Sequence, residues 1–390
     1  MAKTAISNIR QRNLVIDNIL NAINQRDYFL VMGHKSPDED CISSMIAIGL
    51  LLNKFSKKAY LFLPEKINKN FQYLLNICRY NEIKIVHCKK DIPDEITTIF
   101  FLDTPKPGMI ESFQGSGDFF SKKDMLKIEI DHHLKADSEY IGDEGYRLVD
   151  EASSASELVG LTALKLRNNP KFARENNMED LFSRNFVLAV LTGIIGDSKM
   201  GKYLKTNREK WFYRLFSEMF NEMLASKTHK NSRNFSTMNE VFSELQKLSK
   251  REDNCFKIML KRKINFSPKI GTVIINKRVM KKMRAKFDHD TIVNVARYAA
   301  DSLAEYSRAL GLVIYYDVQT ESDLIQFRLR RSQSYKSLDL RSVIDKFNIQ
   351  NGGGHPGAIG FRIPQTEIKD IKKYVGELVN GIEELITEAG

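Results

Sequence analysis

The sequence predicts an α/β protein: a doubly wound, mainly parallel sheet joined by a helical linker to a smaller α/β unit. Three observations predict it. Short apolar runs of strand character alternate with helical segments through the first half of the chain. Several of those runs stop abruptly at His or Asp, and the carboxyl ends of strands are where open α/β sheets bind ligands. A second strand and helix series restarts near Ile270, after a stretch without strand periodicity.

In chain order, residues from about Ile6 to Ile23 read as an amphipathic helix, with Ile9, Leu14, Ile16, Ile19, Leu20 and Ile23 as its apolar candidates. The strand Tyr28 to Met32 runs into Gly33-His34-Lys35-Ser36-Pro37-Asp38-Glu39-Asp40, and an apolar helix follows from Cys41 to Leu52. Asp38 or Asp40 is placed to cap that helix. Strands are expected at 59–63 and 83–86, with a helical piece from Phe71 to Cys78 between them. Thr98 to Leu102 has the continuous apolar character of a buried parallel strand and closes on Asp103. The alternating run Met125 to Ile130 ends in Asp131-His132-His133. Ser154 and Glu157 have capping-box spacing at the start of a helix reaching about Leu166, which the loop Asn168-Asn169-Pro170 ends. A long apolar helix from Leu181 to Ile195 then delivers Asp197. The chain is helical from Trp211 to Leu248. Beyond Ile270 come a strand at 272–275, a helix at 290–306, strands at 312–316 and 324–329 around a polar turn, a strand at 359–363 and a terminal helix from about Glu367 to Ile386. The expected units are residues 1–215, a helical linker 216–265 and residues 266–390.

The 390 residues suffice for two or three domains. No apolar run reaches the ~18 residues of a membrane span, and Met1 to Arg26 lacks the apolar region of a secretory signal. Four cysteines without C-x-x-C pairing indicate neither a disulfide framework nor a zinc ribbon, so a reducing cytoplasm is expected. A formal charge of +11 favours phosphate-bearing partners. The positive charge is dense between Lys247 and Lys286, where Glu252 and Asp253 face a run of lysines and arginines.

The chemistry lies at the strand ends. His34, Asp38 and Asp40 share a loop between a strand and a helix, where a tight turn can aim all three into one cavity. Taken singly, Asp103 and Asp197 read as caps or turn residues. Together with His132 and His133 they form a mixed carboxylate and imidazole set large enough for two metal ions. Imidazole among hard oxygen donors shifts preference from Mg²⁺ toward Mn²⁺. In Gly352-Gly353-Gly354-His355, three glycines let backbone amides approach an anion, against the plainer reading of a flexible turn.

The order Gly33-His34-x3-Asp38-x-Asp40, Asp103, Asp131-His132-His133, Asp197, Gly352-Gly353-Gly354-His355 resembles the DHH/DHHA1 phosphoesterase family, over most of the chain except the N-terminal helix and roughly residues 211–267. Within it, the chain is most similar to stand-alone enzymes that cut short RNA oligonucleotides, linear or cyclic dinucleotides, or 3'-phosphoadenosine 5'-phosphate. The resemblance implies that His34, Asp38 and Asp103 hold one Mn²⁺ and that Asp40, Asp103, His132 and Asp197 hold a second, with Asp103 bridging. It implies that Asp131 orients a neighbouring histidine, and that His133 contacts the scissile phosphate or helps protonate the leaving oxygen. His355 and Gly352, Gly353 and Gly354 would bind substrate, with Arg330 on a phosphate. The expected partners are a short oligonucleotide or a (cyclic) dinucleotide, with room for a homodimer and no membrane. Glu39-Asp40 stands where the family often has Gly-Asp, and Lys199 and Lys202 make the stretch after Asp197 more basic than usual. Competing readings are a single-strand exonuclease, an inactive nucleotide sensor and an inorganic pyrophosphatase. Filled ligand positions weigh against the sensor, and the glycine-rich motif against the pyrophosphatase.

Overall fold

A computed structural model describes residues 2–113, 116–122, 124–134, 138–168, 181–227, 235, 237–317, 322–332, 334–335 and 337–388. Asn169 and Pro170 of the expected loop lie outside them. The chain divides into two compact units, Met1–Lys247 and Leu248–Gly390.

The first unit runs α1 (Ile9–Gln25), β1 (Tyr28–Met32), α2 (Glu39–Lys54), β2 (Lys58–Phe62), α3 (Gln72–Tyr80), β3 (Lys84–Val86), β4 (Thr98–Leu102), α4 (Ser116–Phe120), β5 (Leu126–Asp131), β6 (Arg147–Val149), α5 (Ala155–Arg167), α6 (Arg184–Asp197), α7 (Asn207–Lys227) and α8 (Met238–Leu245). Its six strands are ordered β3-β2-β1-β4-β5-β6 and every pair is parallel. Period-2 geometry sends alternate residues of each strand to opposite faces. Phe29, Val31, Phe100, Leu102, Ile128 and Ile130 join one cluster, with side chains of α1, α2, α3, α5, α6, α7 and α8. Leu30, Met32, Ile99 and Phe101 face the other way, onto Ile92, Ile96, Ile110 and Phe119 of α4 and the neighbouring turns. Both faces are thus dry, as a parallel sheet requires, but the long helices gather on one of them. The short strand β6 has no counterpart in the sequence pattern. Three residues are too few to display an alternation.

The helix boundaries follow their caps. Asp38 accepts from the backbone N–H of Cys41 at 3.3 Å and starts α2, whose apolar side is wholly buried. Ser154 accepts from Glu157 N–H at 3.0 Å and starts α5. The reciprocal bond of a capping box is displaced by one residue: the Glu157 carboxylate receives the backbone N–H and the hydroxyl of Ser153 at 3.0 and 2.7 Å.

The second unit contains α9 (Lys250–Leu260), β7 (Lys263–Ile264), β8 (Ile270–Ile275), α10 (Lys277–Arg284), α11 (His289–Ser307), β9 (Leu310–Tyr316), β10 (Leu324–Arg331), α12 (Arg341–Lys346), β11 (Gly352–His355), β12 (Ala358–Pro364) and α13 (Ile371–Glu388). The sheet order is β11-β12-β10-β9-β8-β7, with β8 and β9 parallel and the other pairs antiparallel. Apolar residues of α12 and α13 cover one face, and those of α9, α10 and α11 the other. The stretch 216–265 is not a continuous helical linker: it holds the end of α7, then α8, which closes the first unit, and α9, which opens the second, and it ends in strand β7 at Lys263–Ile264.

The glycine-rich run differs from the expected open loop. Gly352 to His355 is an edge strand, paired residue by residue with Phe361 to Ala358 across a two-residue turn. Gly354 has φ +139, and a Cβ there would lie 2.3 Å from the Ala358 carbonyl oxygen. Its glycine is therefore required by the hairpin, before any ligand is considered. Gly354→Ala is expected to destabilise the second unit by roughly 1–3 kcal/mol. Chemical denaturation checks this; an unchanged midpoint would contradict the reading of the strand.

Candidate metal centre

Strands β1, β4 and β5 are neighbours in the first sheet, and their carboxyl ends bring His34, Asp103 and Asp131-His132-His133 to one edge. Asp38 and Asp40 arrive at the start of α2, and Asp197 is the last residue of α6. The sequence-predicted residues of this unit meet in a single corner. His34 Nε2 is 3.6 Å from Asp38 Oδ1 and 3.7 Å from Asp103 Oδ2. His132 Nε2 is 3.2 Å from Asp103 Oδ1, 3.5 Å from Asp197 Oδ2 and 3.7 Å from Asp40 Oδ2. The two oxygens of Asp103 therefore face two different sets of donors. These separations of 3.2 to 3.7 Å lie at or beyond the long end of hydrogen bonds and are comparable with the ~3.0–3.4 Å edges of a polyhedron whose ligands lie about 2.1 Å from a shared ion.

Each carboxylate is held by its backbone surroundings. Asp40 is fully buried at the N-terminus of α5, where it accepts from Ala155 N–H at 2.5 Å and Ser156 N–H at 2.9 Å. That helix end stabilises negative charge. Helix α6 reaches the same place only because residue 193 is glycine: a Cβ would meet Ser156 Oγ at 2.1 Å and Asp40 Oδ1 at 2.5 Å. Asp103 has φ +49, a left-handed conformation that Asp tolerates better than most residues. Beyond Asp197 the chain turns through Lys199, Met200 and Gly201 with φ of 47, 58 and 78.

Asp131 plays a different part. Its Oδ1 accepts from His133 Nδ1 at 2.8 Å, and its Oδ2 pairs with Lys3 Nζ. Burial opposes its charge, but His133 and Lys3 outweigh that and hold its carboxyl far below the ordinary range. An ionised carboxylate only accepts, so His133 donates through Nδ1. This bond places the lone pair of the neutral ring on Nε2.

The remaining groups are pushed the other way. Burial, followed by the charges of Asp40, Asp38 and Asp131, raises Asp103 well above the usual carboxyl range. Burial and the nearby carboxylates also raise Asp197, and burial raises Asp40 against the pull of His132. His132 is raised because Asp197, Asp40 and Asp131 overcome its burial, whereas burial keeps His133 below its ordinary value. Such a corner suits a divalent cation, which would relieve the mutual repulsion.

Three partners of the corner were not anticipated from sequence: Lys3, Glu129 and the N-terminal amides of α5. Glu129 was visible as a charge inside an apolar strand, a signal that a cation must lie nearby. Nothing local identified Lys3 as that cation. Cys41 lies beside His34 and Asp103, but its thiol is pushed far up by burial and by Asp103 and Asp38, so it stays protonated.

The other predicted residues lie in the second unit. Arg330 is half-buried; its Nη1 donates to the Leu329 and Ile359 carbonyls at 3.1 Å each, and its Nε is 3.6 Å from Asp301. His355 ends β11, paired with Ala358. In the basic segment, Ile258, Arg262, Asn276, Arg278, Val279, Lys282, Met283 and Lys286 line a cavity of 380 Å³. Among the described residues no helix is long and apolar enough to cross a membrane.

Comparison with known proteins covers the first unit best. The chain is 30% identical over 202 residues to the cyclic-di-AMP phosphodiesterase GdpP of Bacillus subtilis (strain 168), covering 49% of this chain and 28% of that protein. It is 28% identical over 203 residues to the cyclic-di-AMP phosphodiesterase PdeA of Listeria monocytogenes, again with 49% and 28% coverage. A probable manganese-dependent inorganic pyrophosphatase of Exiguobacterium is 27% identical over 44% of this chain and 48% of its own length. The matched stretches thus span about half or less of these relatives. The crystal structure of an exopolyphosphatase-related protein from Bacteroides fragilis shares the fold over 96% of both chains, with a TM-score of 0.59 and 19% identity. Residues 28–194, from β1 into α6, match the model of the DHH family, N-terminal domain. Over those residues, which include His34, Asp38, Asp40, Asp103, Asp131, His132 and His133, the chain is similar to that family.

Proposed function

We propose that this chain is a manganese-dependent phosphodiesterase that hydrolyses short nucleotide substrates: linear or cyclic dinucleotides such as pApA or cyclic-di-AMP, short RNA oligonucleotides, or 3'-phosphoadenosine 5'-phosphate. The observation that carries this reading is Asp103, whose two oxygens address two donor sets. The names of the relatives support the reaction class, two being cyclic-di-AMP phosphodiesterases and one a manganese-dependent pyrophosphatase.

The residues present fit two ions. Asp103 Oδ1 is buried and accepts no hydrogen bond among the described residues, and the donors combine carboxylate oxygens with imidazole nitrogens. His34, Asp38 and Asp103 would hold one ion; Asp40, Asp103, His132 and Asp197 would hold the other. Bound there, Mn²⁺ would supply Lewis acidity toward the phosphoryl group and lower the pKa of a coordinated water. The chain contributes orientation and proton handling. Asp131 fixes the His133 ring so that Nε2 is the atom that takes up a proton and, as part of the imidazolium, offers it to the phosphate or the leaving oxygen. Gly352, Gly353, Gly354, His355 and Arg330 are the proposed nucleotide-recognition elements of the second unit, with Arg330 matching a phosphate by its planar fork of donors. A cytoplasmic setting agrees with four unpaired thiols.

A screen of cyclic-di-AMP, pApA, short RNA, 3'-phosphoadenosine 5'-phosphate and pyrophosphate with Mn²⁺ tests the reading; turnover of pyrophosphate alone would overturn it. Asp103→Asn is expected to abolish hydrolysis while the circular dichroism stays unchanged, because removing a charge at a strand end leaves the core intact. Substantial Mn²⁺-dependent turnover by the folded variant would refute the shared carboxylate. Mn²⁺ affinity is expected to rise with pH until the carboxyls of the corner have lost their protons and then to level off. The sign follows from the raised pKa of Asp40, Asp103 and Asp197: in the metal-free protein these groups keep protons that the ion must displace. Calorimetry in buffers of different ionisation enthalpy reads the released protons, and a pH-independent affinity would contradict the assignment. His355→Ala is expected to raise KM about tenfold for a dinucleotide with little change for bis(p-nitrophenyl) phosphate, as loss of uniform binding does. Equal losses on both substrates would place His355 in the chemistry instead.

A further inference from the structure

The N-terminal segment ahead of α1 lies along the surface of the first unit and sinks one side chain, Lys3, into it. Lys3 is wholly buried, and its ammonium has three acceptors around it: Asp131 Oδ2, Glu129 Oε1 at 2.7 Å and the Thr104 carbonyl at 2.7 Å. The ammonium donates hydrogen bonds to Asp131 Oδ2 and to the Thr104 carbonyl and forms an ion pair with Glu129. The backbone around it is also tied down. Lys3 N–H donates to Ser138 Oγ at 3.3 Å, Thr4 N–H to Tyr140 OH at 3.0 Å and Ile6 N–H to the Val149 carbonyl at 3.2 Å.

The three acceptors are not equivalent. Glu129 and Asp131 are two residues apart on β5 and so share a face of the sheet. Glu129 turns its other oxygen to the backbone N–H groups of Ile141 and Gly142, both at 3.0 Å, so it anchors the ammonium from a rigid wall. Asp131 turns its other oxygen to His133 Nδ1. Thr104 follows the left-handed Asp103. Its hydroxyl donates to the Leu102 carbonyl at 2.8 Å, and Asp103 N–H donates to the Ile130 carbonyl at 3.1 Å. One side chain therefore touches the carboxylate that aims His133 and the turn that presents Asp103.

We propose that Lys3 is a positioning residue of the phosphodiester-hydrolysing site: it fixes Asp131 with one oxygen toward His133 Nδ1 and steadies the Asp103–Thr104 turn, without touching substrate. The inference rests on the reading of this corner as a hydrolytic centre. Without Lys3, the Asp131 carboxylate would be free to rotate, the His133 ring would lose its single tautomer, and Nε2 would no longer be the defined proton acceptor. Partners that orient the residues around a metal centre in this way typically carry 10- to 100-fold in activity or affinity.

The test uses the full chain and three measurements. Lys3→Met keeps the aliphatic stem and removes the charge. Lys3→Met/Glu129→Gln removes one buried charge of each sign, so it remains a folded probe should the single variant not fold. In either folded protein kcat is expected to fall about 10- to 100-fold while KM changes less than about threefold. In metal-free protein, ¹⁵N NMR of the His133 ring is expected to show Nδ1–H in wild type and a mixture of tautomers in the variant. Adding Asp131→Asn to Lys3→Met/Glu129→Gln should cost little more, because both changes break the same connection. An unchanged kcat in a folded variant, or a His133 tautomer that does not depend on Lys3, overturns the proposal. Absence of turnover by wild type would count against the hydrolase reading alone, since the ¹⁵N signature does not depend on activity.

Discussion

Like charges crowded out of water are the constraint on which the rest of the first unit depends. Asp40, Asp103, Asp131 and Asp197 share one corner at the carboxyl edge of a parallel sheet, and each can be ionised there only if something offsets the others. The fold supplies three different offsets. Asp40 receives the amides of a helix N-terminus, and Asp131 receives Lys3 and His133. Burial and the crowded carboxylates raise Asp103 and Asp197 well above the usual carboxyl range, and burial raises Asp40 in spite of its amide donors and His132.

Much of this arrangement was legible in the sequence because it depends on local patterns. Strands that end in His34, Asp103 and Asp131 announce themselves by an apolar run stopped by a polar residue. The parallel sheet makes those stops coincide in space. Asp38 was readable as a cap because capping needs only its near neighbour Cys41. What could not be read depends on distant partners. Lys3 is an unremarkable lysine in a polar leader, and its role appears only when β5 lies beside it. Glu157 had the right spacing for a capping box, yet Ser153 offered a better geometry one residue earlier.

The glycine-rich run illustrates a different limit. A sequence of three glycines is compatible with an anion cradle and with a hairpin strand in which backbone meets backbone. The pairing of Gly352–His355 with β12 explains Gly354 without a ligand. The binding proposed for His355 would draw on a side chain at the end of a paired strand rather than on a loose loop. Arg330 is similarly tied to its own sheet through Ile359 and Asp301, so its orientation is set by β10 and β12 rather than by solvent.

The strand order β3-β2-β1-β4-β5-β6 also governs when the site comes into being. No pair in this sheet is a hairpin, so every strand joins through a crossover and must close a loop before its contacts stabilise it. The interactions that complete the corner are far from local: Asp40 meets Ala155 across 115 residues and Lys3 meets Asp131 across 128. During synthesis the Lys3 segment, made before β5, must wait for that strand before its ammonium has a carboxylate partner. The contacts that complete the corner thus join parts of the chain made far apart in time, Lys3 with β5 and Asp40 with the start of α5.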